Sequence, residues 1–217
     1  MAQSVKGYNR LSSVYAWLEH LAFANTLMRA RLSLLPELKS AKEILILGEG
    51  DGRFLRQAVS YFAEARFVVL EQSPNMIALA KQRFSSAELE RIQFIECDIQ
   101  TGKEQLKPGF DAIITCFFLD MFNATGICNI LETFSPYLKD AGYWYYVDFA
   151  ETGKGVNRLY QQAYLRLMYW FFAWQTGLET QKLVNPHSLF EALGFRLQGQ
   201  NDLHFHFLSS RLYQKVN

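Results

Sequence analysis

The stretch LILGEGDGRF, residues 45–54, places three glycines at alternate positions directly after an apolar run. Glycine loses much backbone entropy on folding, so such a cluster is expected where the chain turns sharply or lets another group approach its main chain. Ile44 to Leu47 is continuously apolar, as in a strand covered on both faces of a parallel sheet. Residues 55–62 carry their apolar side chains at helical spacing. The stretch therefore predicts a strand, a bare turn and a helix.

The same alternation of strand and helix continues along the chain. Further apolar runs predict strands at Phe67–Leu70, Ile92–Cys97, Phe110–Cys116 and Tyr143–Phe149. One intervening helix begins at Ser73-Pro74, where serine caps the helix and proline takes its first position, and another covers residues 126–138. Strands that alternate with helices at this pitch imply right-handed crossovers and a doubly wound sheet with five parallel strands.

The two flanks of this core have different patterns. Apolar residues at helical spacing from Ser13 onward predict a helix that stops at Pro36, and a long helix is predicted from Val156 to Gln175. The last part is predicted as a short helix, Pro186–Leu193, followed by two strands. These strands are Phe195–Phe207 and Arg211–Val216, joined by Ser209-Ser210. No helix separates them, so they must form an antiparallel hairpin.

Composition and charge exclude several classes of protein. The net charge of +1 leaves no broad basic field for a nucleic acid backbone, so no nucleic acid partner is expected. Cys97, Cys116 and Cys128 form no CxxC pair, which favours buried free thiols in a reducing compartment. No secretory signal pattern is visible at the start, and the longest apolar run, Leu167–Trp174, is too short to cross a bilayer. These features predict a cytoplasmic protein without a transmembrane segment.

Polar groups fall at the carboxyl ends of successive predicted strands, where open α/β sheets bind their ligands. The glycine turn, residues 48–52, offers main-chain N–H groups and the start of a helix. Glu71 follows Gly52 by 19 positions, at the end of the second strand, where a carboxylate can accept hydrogen bonds from both ribose hydroxyls. Asp98 suits an exocyclic amine, and Ile99 suits the face of an adenine. The pattern predicts a nucleoside-type ligand.

These residues resemble a known family over nearly the whole chain, the class I S-adenosylmethionine-dependent methyltransferases. The run Gly48-Glu49-Gly50-Asp51-Gly52 is similar to the GxGxG motif of the family, and Glu71 and Asp98 match its ribose and adenine acids. The resemblance implies a Rossmann-like seven-stranded α/β fold with an N-terminal lid helix, and S-adenosylmethionine as cofactor. The cofactor-binding residues that it implies are Gly48, Glu49, Gly50, Gly52, Glu71, Gln72, Met76, Asp98, Ile99, Phe117 and Tyr15, with no metal ligand.

The chain departs from the family pattern at two places. Many members carry an acid two residues before the first glycine, where this chain has Ile46. Either carbonyls of the glycine turn or Glu49 are then left to hold the amino group of the cofactor. The segment Tyr8–Tyr15 is similar to the lid of ubiquinone/menaquinone-type and some phospholipid methyltransferases, although Asn9 and Ala16 replace two family aspartates. Simple packing of this helix on the sheet is the alternative.

The acceptor side rests on weaker signals. Asp120, at the end of the fourth strand, is the candidate general base, with a solvated or helix-capping role as the alternative. The second half of the helix Val156–Gln175 is apolar nearly all round. Because the segment after strand five commonly builds the acceptor pocket in this family, the resemblance implies a small aromatic or lipophilic acceptor, with core packing or a dimer interface as alternatives. His204 and His206 alternate with phenylalanines, which predicts an exposed polar strand face rather than a metal site.

The resulting prediction is one domain over residues 1–217. It comprises an N-terminal helical lid (1–40), a cofactor-binding core (41–150), a helical acceptor-side segment (151–193) and a terminal hairpin (194–217). Either a monomer or a homodimer is expected, and weak peripheral membrane contact would need the aromatic helix to be exposed.

Two other functions compete with methyl transfer. A non-catalytic domain that binds S-adenosylmethionine or S-adenosylhomocysteine is one, because Ile46 and the altered lid depart from the family and a fold alone does not establish function. An NAD-dependent oxidoreductase is the other, but its GxGxxG/A fingerprint needs a small residue at position 53, which is Arg53.

Overall fold

The computed structural model of the chain describes residues 25–99, 102–150, 183–204 and 206–216. Its strands are β1 (Glu43–Leu47), β2 (Arg66–Glu71), β3 (Ile92–Glu96), β4 (Phe110–Cys116), β5 (Leu138–Phe149), β6 (Phe195–Leu203) and β7 (Leu208–Lys215). Its helices are α1 (Thr26–Leu32), α2 (Arg53–Tyr61), α3 (Pro74–Lys81), α4 (Ser86–Leu89), α5 (Ala124–Phe134) and α6 (His187–Ala192). Short 3₁₀ turns lie at Leu35–Leu38, Gly102–Gln105, Leu119–Met121 and Ser135–Tyr137.

All these strands form one seven-stranded sheet in the order β3-β2-β1-β4-β5-β7-β6. The pairs among β1 to β5 are parallel, whereas β7 runs antiparallel to both of its neighbours, β5 and β6. The predicted doubly wound sheet with a C-terminal antiparallel hairpin is therefore confirmed. The order reverses at β1 and β4, so the crevice expected of such a sheet opens at the carboxyl ends of these two strands.

The sheet is covered by an apolar layer on each face. Ile44 and Ile46 of β1 belong to one layer, and Leu45 and Leu47 belong to the other. All four side chains are at most 1% exposed, as a continuously apolar strand in a parallel sheet requires. The position that holds an acid in many methyltransferases, Ile46, is thus part of the core here.

The helix α1 is tied to the far half of the sheet by hydrogen bonds at its C-terminal end. The Leu34 N–H donates to the Tyr145 hydroxyl oxygen at 3.2 Å, and this hydroxyl donates towards the carbonyl oxygens of Ala30 and Arg31, each at 3.1 Å. The Ser210 hydroxyl donates to the Ala30 carbonyl at 2.9 Å. Residues of β5 and β7 therefore fix where α1 ends and where its side chains lie.

The predicted position of the hairpin turn is wrong. β6 ends at Leu203 and β7 begins at Leu208, so Ser209 and Ser210 lie inside β7 and are buried. The buried Ser210 hydroxyl has the Ala30 carbonyl as its partner, which removes the usual cost of placing serine in a strand core.

The predicted strand face carrying His204 and His206 is wrong for the same reason. Both residues belong to the turn and have positive φ angles, 52° and 62°. A strand needs negative φ, so the two imidazoles share no strand face.

Three element boundaries differ from the predicted ones. β5 begins at Leu138 rather than Tyr143, because Leu138 pairs with Phe110 ahead of an irregularity in the register. α5 begins earlier than predicted because the Asn123 side chain accepts from the Gly126 N–H at 2.8 Å and caps it. α1 ends at Leu32, before the 3₁₀ turn that contains Pro36.

The predictions for Tyr15, the Tyr8–Tyr15 segment and the helix Val156–Gln175 lie outside the described residues. Within the described ranges, no helix is long and apolar enough to cross a membrane. Cys97, Cys116 and Cys128 form no disulfide and are only partly buried.

Candidate functional site

The three glycines of the turn differ in what surrounds them among the described residues. Gly48, Gly50 and Gly52 all have φ angles between +70° and +83°, which residues with a Cβ adopt at a cost. A Cβ on Gly48 would lie 2.2 Å from the Phe118 ring, and one on Gly52 would lie 2.7 Å from Ala80. A Cβ on Gly50 would meet no atom within 4 Å among the described residues. Packing among the described residues therefore requires two of the glycines, while a side chain on the middle one would meet none of them.

Glu71 reaches from the end of β2 to this bare main chain. One carboxylate oxygen accepts from the Gly50 N–H at 2.9 Å, and the other accepts from the Ser73 N–H at 3.0 Å. Burial raises the pKa of Glu71 above its ordinary value, and hydrogen bonds from the main-chain N–H groups of Ser73, Gly50 and Gln72 oppose this rise. Each carboxylate oxygen has a second lone pair, so the group can still accept hydrogen bonds from hydroxyls of a ligand.

The other residues predicted at β2 and β3 lie along the same edge of the sheet. Gln72 is exposed directly after β2, and Met76 is half-buried in the first turn of α3. Asp98 is exposed after β3, and Ile99 packs against the apolar layer that contains Leu45. Because β2 and β3 are paired through their last residues, these side chains follow neighbouring strand ends.

Glu49 is turned inward within the glycine turn. Its carboxylate accepts from the Leu55 N–H at 2.8 Å, at the third residue of α2, and so caps that helix. Burial raises the pKa of Glu49 to about 8, with the Leu55 N–H and the charge of Arg31 opposing the rise. Glu49 therefore stabilises the start of α2, and the positive charge of Arg31 lowers its pKa against the larger effect of burial.

Phe117 ends β4 in a strained conformation, with φ +53°. Its ring centre is 5.0 Å from that of Phe149, and the guanidinium carbon of Arg31 lies 4.9 Å from the ring centre on its face. The Phe117 N–H donates to the Val147 carbonyl at 2.7 Å. Sequence analysis missed Arg31, since an arginine in a short helix before β1 carries no motif.

A second pair of acids lies at the ends of β4 and β5. The Asp120 N–H donates to one Asp148 carboxyl oxygen at 3.1 Å, and the Phe149 N–H donates to the other at 3.0 Å. Asp148 is 0% exposed. The Asp120 Oδ1 atom is also buried and has no hydrogen-bond partner among the described residues.

Both carboxyls of this pair have a pKa above the ordinary value of an aspartate. Burial raises the pKa of Asp120 to about 7. Burial and the neighbouring Asp120 carboxyl hold the pKa of Asp148 well above its ordinary value. Sequence analysis predicted Asp120 but missed Asp148; the available signal was a single acid inside the otherwise apolar run Tyr143–Phe149.

One protein-family model matches the part of the chain that contains most of these residues. Residues 44–142 match the family model described as a methyltransferase domain. The matched range contains the glycine turn, Glu71, Asp98 and Asp120, and it ends before Asp148. No curated protein sequence matches the chain.

Solved structures share the fold at low sequence identity. Mitomycin 7-O-methyltransferase MmcR matches with a TM-score of 0.70 and 14% identity, over 99% of this chain and 61% of that one. N-methyltransferase NodS from Bradyrhizobium japonicum WM9 matches with a TM-score of 0.61 and 14% identity, over 89% of this chain and 98% of that one. Human N-acetylserotonin methyltransferase, solved in complex with SAM, matches with a TM-score of 0.62 and 22% identity, over 87% of this chain and 52% of that one.

This chain spans about three fifths of the length of MmcR and about half of the human enzyme. The likeness shows the Rossmann-like α/β fold. Within the described residues, no group of three His, Cys, Asp or Glu side chains is placed to hold a metal ion.

Proposed function

We propose that this chain is an S-adenosylmethionine-dependent methyltransferase acting on a small acceptor. The observation that carries the proposal is the contact of the Glu71 carboxylate with the Gly50 N–H at 2.9 Å, beside the open face of the glycine turn. A carboxylate at the end of one strand can accept hydrogen bonds from a ribose. Main chain without side chains, at the end of the neighbouring strand, can contact the chain attached to that ribose. The match of residues 44–142 to a methyltransferase domain supports the same assignment.

The described residues divide the work of holding the cofactor. Glu71 accepts hydrogen bonds from the ribose hydroxyls, Asp98 accepts from the exocyclic amine of the adenine, and Ile99 covers one face of the base. Gln72 and Met76 border the same half of the site, and Gly48, Gly50 and Gly52 let the main chain approach the ligand. Phe117 closes the other half at the end of β4, and Tyr15 is proposed as the residue that covers the site from residues 1–40.

The chemistry needs little from the protein beyond placement. When bound, S-adenosylmethionine supplies an electrophilic methyl group on a positively charged sulfur. Positioning the acceptor in line and excluding water contribute most of the rate of such a displacement. Asp120 takes the proton that the acceptor loses, and burial, which raises the pKa of Asp120 to about 7, suits a base working near neutral pH.

The proposed acceptor is aromatic or lipophilic. The proposal rests on the apolar sequence of Val156–Gln175 in the segment 151–193, which is assigned to the acceptor side. The core 41–150 and the hairpin 194–217 complete a single domain that acts as a monomer or homodimer. A cytoplasmic location fits three cysteines that form no disulfide.

A non-catalytic domain that binds the same cofactor is the second candidate. It is favoured by Ile46, which is buried in the core where many methyltransferases carry an acid. Turnover separates the two functions, because a sensor binds the cofactor and releases no S-adenosylhomocysteine.

The binding test is a calorimetric titration with S-adenosylmethionine and with NADH. The natural chain is expected to bind the sulfonium compound, and Glu71→Ala is expected to weaken this binding at least tenfold, since charge-assisted hydrogen bonds are lost. Glu96→Ala is the matched control, because Glu96 is exposed at the end of the neighbouring β3. A preference for NADH would overturn the assignment.

The turnover test uses quinone-like, phenolic and amine acceptors and measures the release of S-adenosylhomocysteine. Asp120→Asn is expected to lower turnover while leaving cofactor affinity unchanged. Cofactor binding without any turnover, across all three acceptor classes, would favour the sensor.

A further inference from the structure

Polar side chains interrupt one of the two apolar layers next to Asp120. Successive residues of β5 alternate between the faces of the sheet, so Asp148 lies on the face of Tyr146, whose ring belongs to the layer that contains Leu45. Ser209 of β7 is paired with Asp148 and lies on the same face. Paired residues of antiparallel strands have Cβ atoms about 5 Å apart, so these two side chains are neighbours. We call Asp120, Tyr146, Asp148 and Ser209 the acid–hydroxyl cluster.

The acid–hydroxyl cluster is buried, yet part of its hydrogen-bonding capacity is unused. Tyr146 and Ser209 are each 4% exposed, and Asp148 is 0% exposed. Neither of the two hydroxyls is hydrogen-bonded to another described residue. The buried Asp120 Oδ1 atom has no partner in the same part of the chain. Buried polar groups in native proteins are nearly always hydrogen-bonded, so three unused groups in one cluster indicate a bound molecule that completes them.

The electrostatics place the Tyr146 hydroxyl close to both acids. Burial, and then the charges of Asp148 and Asp120, raise the pKa of Tyr146 well above its ordinary value. The charge of Arg211 lowers this pKa, so a cation also lies near the hydroxyl. The four groups of the cluster therefore surround a common region of the sheet face.

The cation beside this region already has an acidic partner. The Arg211 guanidinium donates to the Asp202 carboxylate at 2.5 Å and to the Ser210 carbonyl at 3.0 Å. An anionic group placed against the cluster would meet two carboxyls and a guanidinium whose charge is already paired. The cluster suits a neutral group that both donates and accepts hydrogen bonds, as a hydroxyl does.

We infer that the acid–hydroxyl cluster selects acceptors that carry a second, neutral hydroxyl besides the group that is methylated. This inference rests on the proposed function, in which Asp120 takes the proton of the methylated group. Tyr146 and Ser209 then bind the second hydroxyl and determine specificity without taking part in the chemistry. A site that hydrogen-bonds a substrate hydroxyl discriminates strongly against the analogue that lacks it, because polar groups of the site are left unpaired. Among aromatic acceptors, the cluster therefore favours dihydroxylated rings.

Matched pairs of benzene derivatives test this selectivity. Catechol, resorcinol and hydroquinone each differ from the cresol of the same substitution pattern by a hydroxyl in place of a methyl group of similar size. Each compound is titrated into the natural chain saturated with S-adenosylhomocysteine, and binding is followed by the NMR signals of the compound. In at least one pair, the dihydroxybenzene is expected to bind at least about tenfold more tightly than its cresol, because hydrogen bonds to two buried hydroxyls are gained.

Tyr146→Phe and Ser209→Ala remove the two hydroxyls with little change of shape. Each variant is expected to lower the preference for the dihydroxybenzene at least about threefold, and the double variant is expected to remove it. The affinity for the cresol should change less than about twofold. Since neither hydroxyl is hydrogen-bonded to a described residue, the free energy of unfolding is not expected to fall.

The chain offers a matched control next to each of these residues. Tyr145 and Ser210 lie on the opposite face of the same two strands, where their hydroxyls donate to the Ala30 carbonyl at the end of α1. Tyr145→Phe and Ser210→Ala are therefore expected to lower the free energy of unfolding and to keep the preference for the dihydroxybenzene.

Three results would overturn the inference. The first is a natural chain that binds no dihydroxybenzene more tightly than its cresol. The second is an unchanged preference in the double variant, which would mean that Tyr146 and Ser209 contact only water. The third is a preference that Tyr145→Phe and Ser210→Ala also abolish, which would reflect the stability of the fold. Failure of the natural chain to bind S-adenosylhomocysteine would instead refute the proposed function itself.

Discussion

Glu71 and Asp148 are acids at the carboxyl edge of one sheet, and each accepts hydrogen bonds from main-chain N–H groups, yet their surroundings differ. Glu71 is partly exposed and contacts Gly50, beside which a Cβ would meet no atom of the described residues. Asp148 is fully buried and has the carboxyl of Asp120 beside it. Main-chain donors alone therefore do not decide whether a carboxyl is charged; solvent access and the neighbouring acid do.

The two halves of this sheet edge therefore depend on different physical features. The tips of β1 and β2 depend on glycines that keep the main chain bare, whereas the tips of β4 and β5 depend on the protonation of two acids. Damage to the glycines of the first half should appear at every pH, and damage to the acids of the second half should appear as a changed pH dependence.

Among these variants, Gly48→Ala is expected to lower stability most, because it alters the glycine turn at the tip of β1. The added Cβ would meet the Phe118 ring at 2.2 Å in a backbone conformation with φ +70°, so the free energy of unfolding should fall by about 2–4 kcal/mol. Gly50→Ala is the matched control, because it has a similar φ with open space around it, and should cost about 1–2 kcal/mol. Urea unfolding of both variants checks the difference, and equal losses would show that the ring does not enforce the glycine.

The acidic half is tested by the pH dependence of Asp148→Asn. An acid with a raised pKa binds its proton more tightly in the folded chain, so its contribution to stability is full below the unfolded value near 3.8. That contribution is lost as the pH rises through that value towards the folded one, which for Asp120 is about 7. The natural chain should lose about 1–3 kcal/mol from this pair between pH 4.5 and 7.5, and the variant should lose less.

Urea unfolding at several pH values measures this slope. Asp140→Asn, at an exposed position of the same strand, should leave the slope unchanged. A variant of Asp148 with the natural slope would contradict the idea that the two carboxyls favour their protonated forms.

Glu71→Gln tests the same comparison at the tip of β2, and a smaller loss of stability is expected. Glutamine offers one acceptor oxygen where Glu71 uses two, so either the Gly50 or the Ser73 N–H loses its partner. A loss of about 1–2 kcal/mol in the free energy of unfolding is expected. The loss should be similar at pH 5 and pH 8 if donors dominate this half, and a large pH dependence would place Glu71 with Asp148 instead.

The smallest effect is expected from Tyr145→Phe, which removes the hydroxyl that holds the end of α1. The free energy of unfolding should fall by about 1 kcal/mol, since the bonds to Leu34 and the α1 carbonyls are lost. Tyr143→Phe is the control, because its half-buried hydroxyl accepts only a 3.3 Å contact from Gln214 among the bonds described. If α1 is held mainly by apolar packing, the two variants will unfold alike.

Predictions from the sequence were most accurate at positions where a single chemical requirement determines the residue type. The glycine turn requires small residues and positive φ, and Glu71 follows at the spacing that a second parallel strand demands, so both could be found from residue types alone. The parallel, doubly wound arrangement of β1 to β5 followed from the alternation of strand and helix patterns and from handedness rules.

Other parts depend on contacts between distant segments, which no local pattern reports. Ser209 and Ser210 look like a turn, but the Ala30 carbonyl makes a strand position acceptable for Ser210. His204 and His206 look like alternating strand residues, yet they turn because Phe207 and Leu208 are buried. Arg31 joins the site through its contact with the Phe117 ring, and Asp148 joins it through the Asp120 N–H, so each depends on a residue outside its own element.

The hydrogen bond between Ser210 and Ala30 joins positions 180 residues apart. Strand β7 enters the sheet between β5 and β6, so β6 has no partner in the sheet until the last strand has been synthesised. On the ribosome, the tips of β1 and β2 are therefore made long before the second anchor of α1, and a chain lacking β7 would keep the glycine turn and the Tyr145 bonds while losing the bond from Ser210.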